Sequence, residues 1–185
     1  MTATYPAFSI EKVIPLRDKE YYWYVLDRIN KASSRIWMSM FLIDVRRAFD
    51  PNQEVRGLIH ALRYASWRGV EVRILTGDSR TIVQLREMNM VSRTYLRTQR
   101  LMVKTHRSPE RTGSHDKYLI IDHNIIILGS HNWIDESFND SAEDSIAVFS
   151  PDLNCRLCQE FLNAWEQPRS KRRATTKYKN EDTGP

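Results

Sequence analysis

Cysteine is almost missing from this chain of 185 residues; Cys155 and Cys158 are the only two. A small scaffold stapled by several disulfides is thereby excluded. A C-x-x-C pair can be half of a zinc site, but no second ligand pair stands at a suitable spacing. The segment around it reads as helix, where residues three apart share a face, so the pair is assigned to helix packing. Long apolar runs are also lacking: none approaches the ~18 residues of a membrane span. Met1 to Ile10 has neither a basic region nor an apolar core of the secretory type, so a cytosolic protein is expected. What remains, 41% hydrophobic and 28% charged residues, is ordinary for a folded domain with a real core.

Acidic residues are scarce in one block. Residues 80–111 hold eight basic side chains against two acidic ones, within a chain of net charge +5. Arg80, Arg86, Arg93, Arg97, Arg100, Lys104, Arg107 and Arg111 form either a solvated face plus a loop or an electrostatic footprint for a polyanion. Seven of the eight are Arg, whose planar fork suits phosphate.

Periodicity gives the framework. Met1 to Arg17 reads as an irregular lead with a short extended piece, interrupted by Pro6 and Pro15. Asp18 is a plausible N-cap for a helix to about Ala32, in which Tyr22, Val25, Leu26 and Ile29 recur at helical spacing. The surplus aromatics of Tyr21, Tyr22, Trp23 and Tyr24 are either surface side chains or a subunit contact. Arg35 to Val45 reads as a buried strand, followed after Asp50-Pro51 by a helix to Trp67 with Val55, Leu58, Ile59 and Leu62 on its apolar stripe. Gly69 stands where a helix C-terminus favours glycine. Val70–Thr76 is a strand, 81–93 a weakly amphipathic helix, and Leu101–Lys104 a short strand. Two further strands, Asp116–Ile121 and Ile125–Leu128, are joined by a turn at Asp122-His123-Asn124. Asp144–Phe149 is the last strand, and a final helix starts at Pro151. Parallel strands joined by helical crossovers beside a hairpin predict one α/β domain with a mixed central β-sheet flanked by helices. It spans 18–167, between a lead at 1–17 and a basic tail at 168–185 expected to be disordered.

Chemistry concentrates between His115 and Glu143. His115, Lys117 and Asp122 stand as H-x-K-x4-D; Gly129, Ser130 and Asn132 follow as G-S-x-N; Glu143 lies eleven residues further on. In a strand His115 and Lys117 share a face, with Asp116 and Tyr118 on the other. That sets a nucleophile or proton carrier beside a phosphate anchor. Ser130 and Asn132 can reach the same end of the sheet as donors. Asp122, in the turn, serves an Asx-type turn or acts as a charge partner inside the site. Glu143 can bond to His115 Nδ1–H and leave Nε2 free to attack.

This ordered set resembles the phospholipase D superfamily, whose signature is H-x-K-x4-D followed by G-S-x-N; Glu143 falls where single-motif bacterial nucleases of that family carry a glutamate. The resemblance covers roughly Ala32 to Trp165. It implies catalytic roles for His115, Lys117, Asp122, Ser130, Asn132 and Glu143, and a phospholipase D/nuclease-like fold. In that family two motifs make one active site. Here only one is present: His60, His106, His123 and His131 all lack a lysine two residues on. The resemblance therefore implies a homodimer with the active site on its two-fold axis. One His115 attacks phosphorus to form a phosphohistidine while the partner's His115 protonates the leaving oxygen. Lys117, Asn132 and Ser130 stabilise the phosphoryl oxygens, with no metal or other cofactor required. The arginine block, with Arg107 and Arg111 nearest the motif, and the basic tail favour nucleic acid as substrate. Tyr95, Trp133 and Phe138 are candidates to stack bases, or else core. The alternatives are an anionic phospholipid, entering past Met88, Met90 and Val91, and a non-catalytic nucleic-acid-binding dimer.

Overall fold

The computed structural model describes residues 5–46, 53–77, 79, 82–106 and 114–167. Arg80, Arg107, Arg111 and the basic tail lie outside the described residues. Among the described residues there are seven strands and five helices. They are β1 (Lys12–Arg17), α1 (Lys19–Lys31), β2 (Arg35–Met40), α2 (Glu54–Trp67), β3 (Glu71–Thr76), α3 (Val83–Thr98) and β4 (Met102–Thr105). Then follow β5 (Lys117–Ile121), β6 (Ile125–Gly129), α4 (Asp135–Asn139), β7 (Asp144–Phe149) and α5 (Pro151–Glu166). One sheet takes all seven strands in the order β1-β7-β6-β5-β2-β3-β4. β2, β3 and β4 are parallel, whereas β5, β6, β7 and β1 pair antiparallel in succession from β2. The expected mixed α/β domain is the observed one.

Alternation along the strands divides the core. Met38, Ile74, Leu119, Ile121 and Ile127 belong to the main core with buried residues of α1, α2 and α3. Trp37, Leu75 and Ile120 point the other way, against Phe161 and Trp165 of α5. Cys158 joins that second layer and Cys155 is exposed, both free, as the helix-packing assignment requires. Pro15 sits in β1, the sheet edge, where a missing N–H is tolerated.

Three expectations are corrected. The strand foreseen from Arg35 to Val45 leaves the sheet after Met40. Phe41 to Asp44 is held instead by side chains and by a neighbouring loop. Asn89 donates to Phe41 O at 2.7 Å and to Gly77 O at 3.0 Å, Asn132 accepts from Leu42 N–H at 3.2 Å, and Trp133 pairs with Leu42 and Asp44. Gly77 permits this departure: a Cβ there would lie 2.7 Å from Phe41 O. Asp18 does not cap α1 with its side chain. It sits at φ 48°, and its carboxylate accepts from Glu143 N–H at 3.0 Å; Glu20 reaches back to Arg17 N–H instead. The third helix runs on to Thr98, beyond the expected end at Arg93, because Ser92 and Leu96 supply buried positions on its inner face.

Candidate active site

β5 runs antiparallel to β2, with Lys117 opposite Met40. The start of β5 therefore lies at the carboxyl ends of β2 and β3, and the end of β6 and the start of β7 come to the same rim. His115, Lys117, Ser130, Asn132 and Glu143 are thus gathered at one end of the sheet, although they arise from three separate connections.

His115 is exposed and Lys117 half-buried. Lys117 Nζ lies 2.9 Å from His115 Nδ1 and donates to His115 O at 3.1 Å. Both groups rest on Phe41: its ring centroid is 4.3 Å from the imidazole and 5.3 Å from Nζ. Phe41 was read only as part of a strand; its role follows from the early end of β2, which the run of apolar residues concealed. Burial, then the Lys117 charge, holds His115 below its usual range, with Asp116 pulling the other way. Burial likewise lowers Lys117, opposed by Glu143 and Asp116. A neutral imidazole beside a charged ammonium is the favoured state near neutral pH.

The expected bond from His115 Nδ1 to Glu143 is not the one observed. An ammonium can only donate, so Nδ1 here is an acceptor for Lys117. Glu143 Oε1 accepts from Ser137 Oγ at 3.0 Å, while its main chain is fixed by Asp18. Its carboxylate acts on the site through charge, stabilising Lys117 as the cation.

Asn132 spends Oδ1 on Leu42 N–H, which orients the amide; its Nδ2 has no partner among the described residues and remains a donor for an incoming group. Ser130 is committed elsewhere. Its hydroxyl donates to Asp144 O at 3.2 Å and accepts from Asp144 N–H at 3.1 Å, so that although Ser130 is exposed its hydroxyl closes the β6–β7 connection. Gly129 makes that closure possible, because a Cβ would stand 2.5 Å from Asp144 O.

Asp122 is not part of the rim. It ends β5, a strand of roughly 16 Å at 3.3 Å per residue away from Lys117. Its carboxylate accepts from Ser33 N–H, Ser34 N–H at 2.8 Å, Ser34 Oγ at 2.9 Å and Arg35 N–H at 3.2 Å, and its own N–H donates to Arg35 O. The turn residue takes φ 51°, a left-handed conformation that Asp tolerates. Of the two roles open to it in sequence, the local structural one is realised, anchoring the α1–β2 loop. Burial pushes its carboxyl up, and the bonds from Ser34, Arg35 and Ser33 together overcome this and leave it below the usual range.

A second polar cluster lies on the opposite face of β5. Asp116 Oδ2 is 3.1 Å from His106 Nδ1, and Ser39 Oγ is 3.2 Å from the same ring nitrogen. The His106 bond leads in lowering Asp116 despite burial. Nothing in the spacing of His106, nine residues before His115, flagged it; only the pairing of β2 with β5 brings it near. His131, inside G-S-x-N, is buried, stacked on Tyr21 at 4.2 Å and bonded to Ser145 Oγ at 2.8 Å. Trp133 and Phe138 are core side chains and cannot stack bases. Among the described residues no group of three or more His, Cys, Asp or Glu side chains is placed to hold a metal ion, and no helix is long and apolar enough to cross a membrane.

The family model described as cardiolipin synthase, PLD-like domain, matches residues 25–165, which includes every element of this rim. The chain belongs to that phospholipase D-like family. Members of the superfamily are phosphodiesterases. Among solved structures, Nuc, a phospholipase D family member from Salmonella typhimurium, is 21% identical, with a TM-score of 0.68 over 85% of this chain and 96% of its own. Phosphatidylserine synthase from Haemophilus influenzae is 16% identical, with a TM-score of 0.62 over 84% of this chain and 38% of its own. TrmBL2, an archaeal chromatin protein with a novel mode of DNA binding, is 16% identical, with a TM-score of 0.51 over 84% of this chain and 52% of its own. These likenesses are of fold. No curated protein sequence matches the chain.

Proposed function

We propose that this phospholipase D-like chain is a nuclease that hydrolyses phosphodiesters of DNA or RNA through a phosphohistidine, acting as a homodimer. The observation that carries the reading is an exposed, neutral-favoured imidazole held 2.9 Å from a lysine ammonium at the open rim of the sheet. An arriving phosphate is a stronger acceptor than Nδ1 and draws the Lys117 ammonium onto its oxygens. The ring proton then leaves Nε2 and Nδ1 is protonated in its place, with the Asp116 charge favouring the protonated ring, and the freed Nε2 lone pair attacks phosphorus. The P–O bond to the leaving group breaks as the second protomer's histidine supplies the proton. Water next attacks phosphorus, gives its proton to that second histidine, and the P–N bond breaks. Lys117 and the Asn132 amide from both protomers hold the developing charge. The dimer is needed because one rim supplies one histidine for two proton-coupled roles. The chain lacks a second H-x-K.

Nucleic acid is favoured by the arginine block, and support comes also from the fold likeness to Nuc and to a DNA-binding chromatin protein. A phospholipid substrate is the second reading. It draws on the family description as cardiolipin synthase-like and on the exposed Ile82, Val83, Met90 and Val91 of α3 and its approach. The test is hydrolysis of single- and double-stranded DNA, RNA, and phosphatidylcholine or cardiolipin vesicles by wild type and His115→Ala, with EDTA throughout. Wild-type turnover of a polynucleotide, lost in the variant, is the expected result. Turnover of lipid alone overturns the nuclease reading, and turnover abolished by EDTA overturns the proposed protein-only chemistry. Light scattering tests the dimer; a fully active monomer overturns the shared site.

A further inference from the structure

No acidic residue occurs from Val55 to Val70, nor from Met88 to Pro109. The first stretch is α2 after its opening Glu54, with its exit, and the second holds most of α3. The buried stripe of α2, Val55, Leu58, Ile59 and Leu62, faces the core. Its opposite side carries Arg56, His60, Arg63 and Trp67, at spacings of four, three and four residues, which align on one helix face. From Arg56 to Trp67 the row runs about 16 Å at 1.5 Å per residue. It starts near the carboxyl end of β2, on the side of the catalytic rim, and leads away from it.

At its far end the row opens into a groove of about 350 Å³ between α2 and the end of α3, lined by Arg63, Trp67, Thr98, Gln99 and Arg100. Trp67 is 62% exposed. The Arg63 guanidinium covers one side of its ring at 4.3 Å and is fixed by Gln99 Oε1 at 3.1 Å. Arg68 packs in the same way on Tyr64, at 5.1 Å. Burial first, and then Arg56 and Arg63, hold His60 below its usual range, so the field along the row is positive.

We propose that this face of α2, with the groove at the end of α3, is a binding track for single-stranded nucleic acid, separate from the catalytic rim. Guanidinium groups in a row neutralise successive phosphates. A tryptophan backed by an arginine and largely open to solvent offers a platform for an unstacked base. A duplex, with its bases paired and stacked, would leave that platform unused. An anionic bilayer is disfavoured because Tyr64 and Trp67 are the only large exposed apolar side chains on α2, with no aliphatic ones beside them. A second copy is disfavoured too: in a two-fold contact this surface would face itself, cation against cation. The ligand class rests on the nuclease reading above; the binding measurement does not depend on turnover.

The experiment is fluorescence anisotropy of a labelled 15-nucleotide oligo(dT), and of a duplex of equal length, with the full chain carrying His115→Ala so that no cleavage occurs. Adding Trp67→Ala weakens oligo(dT) binding about tenfold, Trp67→Phe loses less, and duplex binding changes under twofold. Adding Arg63→Ala lowers the slope of log affinity against log salt by about 0.7 for the single strand. Thermal melting confirms that each variant is folded. Oligo(dT) affinity that is unaltered by Trp67→Ala, or no measurable binding by the His115→Ala chain, overturns the track. Loss of phosphatidylglycerol vesicle binding in Trp67→Ala with oligo(dT) binding intact overturns it in favour of a membrane. A wild type that cleaves no polynucleotide, while Trp67→Ala still weakens oligo(dT) binding, removes the nuclease reading and leaves the track standing.

Discussion

The two ends of β5 carry the two halves of one sequence motif and do opposite things. At its start His115 and Lys117 are held by each other, one carbonyl and a phenyl ring. At its end Asp122 is saturated by the main chain and hydroxyls of Ser33, Ser34 and Arg35. A group with few fixed partners can be recruited by substrate; a group with all its lone pairs occupied is a rivet. The lesson is that H-x-K-x4-D is a motif of chemistry plus anchorage, and its members should fail in different ways.

His115→Ala should separate the ends most sharply. Hydrolysis is expected to fall at least about 1,000-fold with the melting temperature nearly unchanged, as read by initial rates and calorimetry. An equally large fall in Asp122→Ala at full stability would erase the contrast. That second substitution is instead expected to cost roughly 2 kcal/mol in urea unfolding, since it strands donors that now meet a carboxylate. The pH dependence carries the same signature. The folded Asp122 titrates lower than it does unfolded, so its contribution is complete above the unfolded value of about 3.9 and fades as pH falls through the folded one. Urea midpoints taken from pH 5 downward should therefore drop more steeply for wild type than for Asp122→Asn.

Ser130→Ala, placed at the reactive end but bonded like an anchor, is expected to cost about 1 kcal/mol of stability. A fall in kcat out of proportion to that cost would return its hydroxyl to the substrate. The smallest effect concerns the back of β5. Asp116→Asn removes a charge that raises His115, so the His115 imidazole should titrate lower, measured by histidine NMR in the full chain. An upward shift would contradict the placement of Asp116 behind His115 and Lys117.

Much of this was legible before any coordinates. Strands with strict or continuous apolar patterning, such as Asp144–Phe149, were located to the residue, and the alternation in β5 correctly put His115 and Lys117 opposite Asp116 and Tyr118. What escaped depends on contacts between segments distant in sequence. The apolar run from Arg35 suggested a strand to Val45, because no local signal says that Asn89, 46 residues from Ile43, will take over its hydrogen bonds. α4 is only five residues long and has no periodicity to read. Trp133 and Phe138 look like base platforms in sequence, and only packing against Tyr21 shows them as core. Asp122 was ambiguous for the same reason: its partners at 33–35 are reached through the β2–β5 pairing.

The bond between Asp18 and Glu143 joins residues 125 apart in sequence, and β1 pairs with β7 along its whole length. Glu143 therefore acquires its position only after the opening strand and the last strand have met. On a ribosome, which releases the chain from its amino end, the rim stays unfinished until nearly all of the domain has emerged. A stalled or truncated product would carry His115 and Lys117 without the brace that sets their acidic neighbour. The closing of this sheet is therefore the last step in setting Glu143 at the rim.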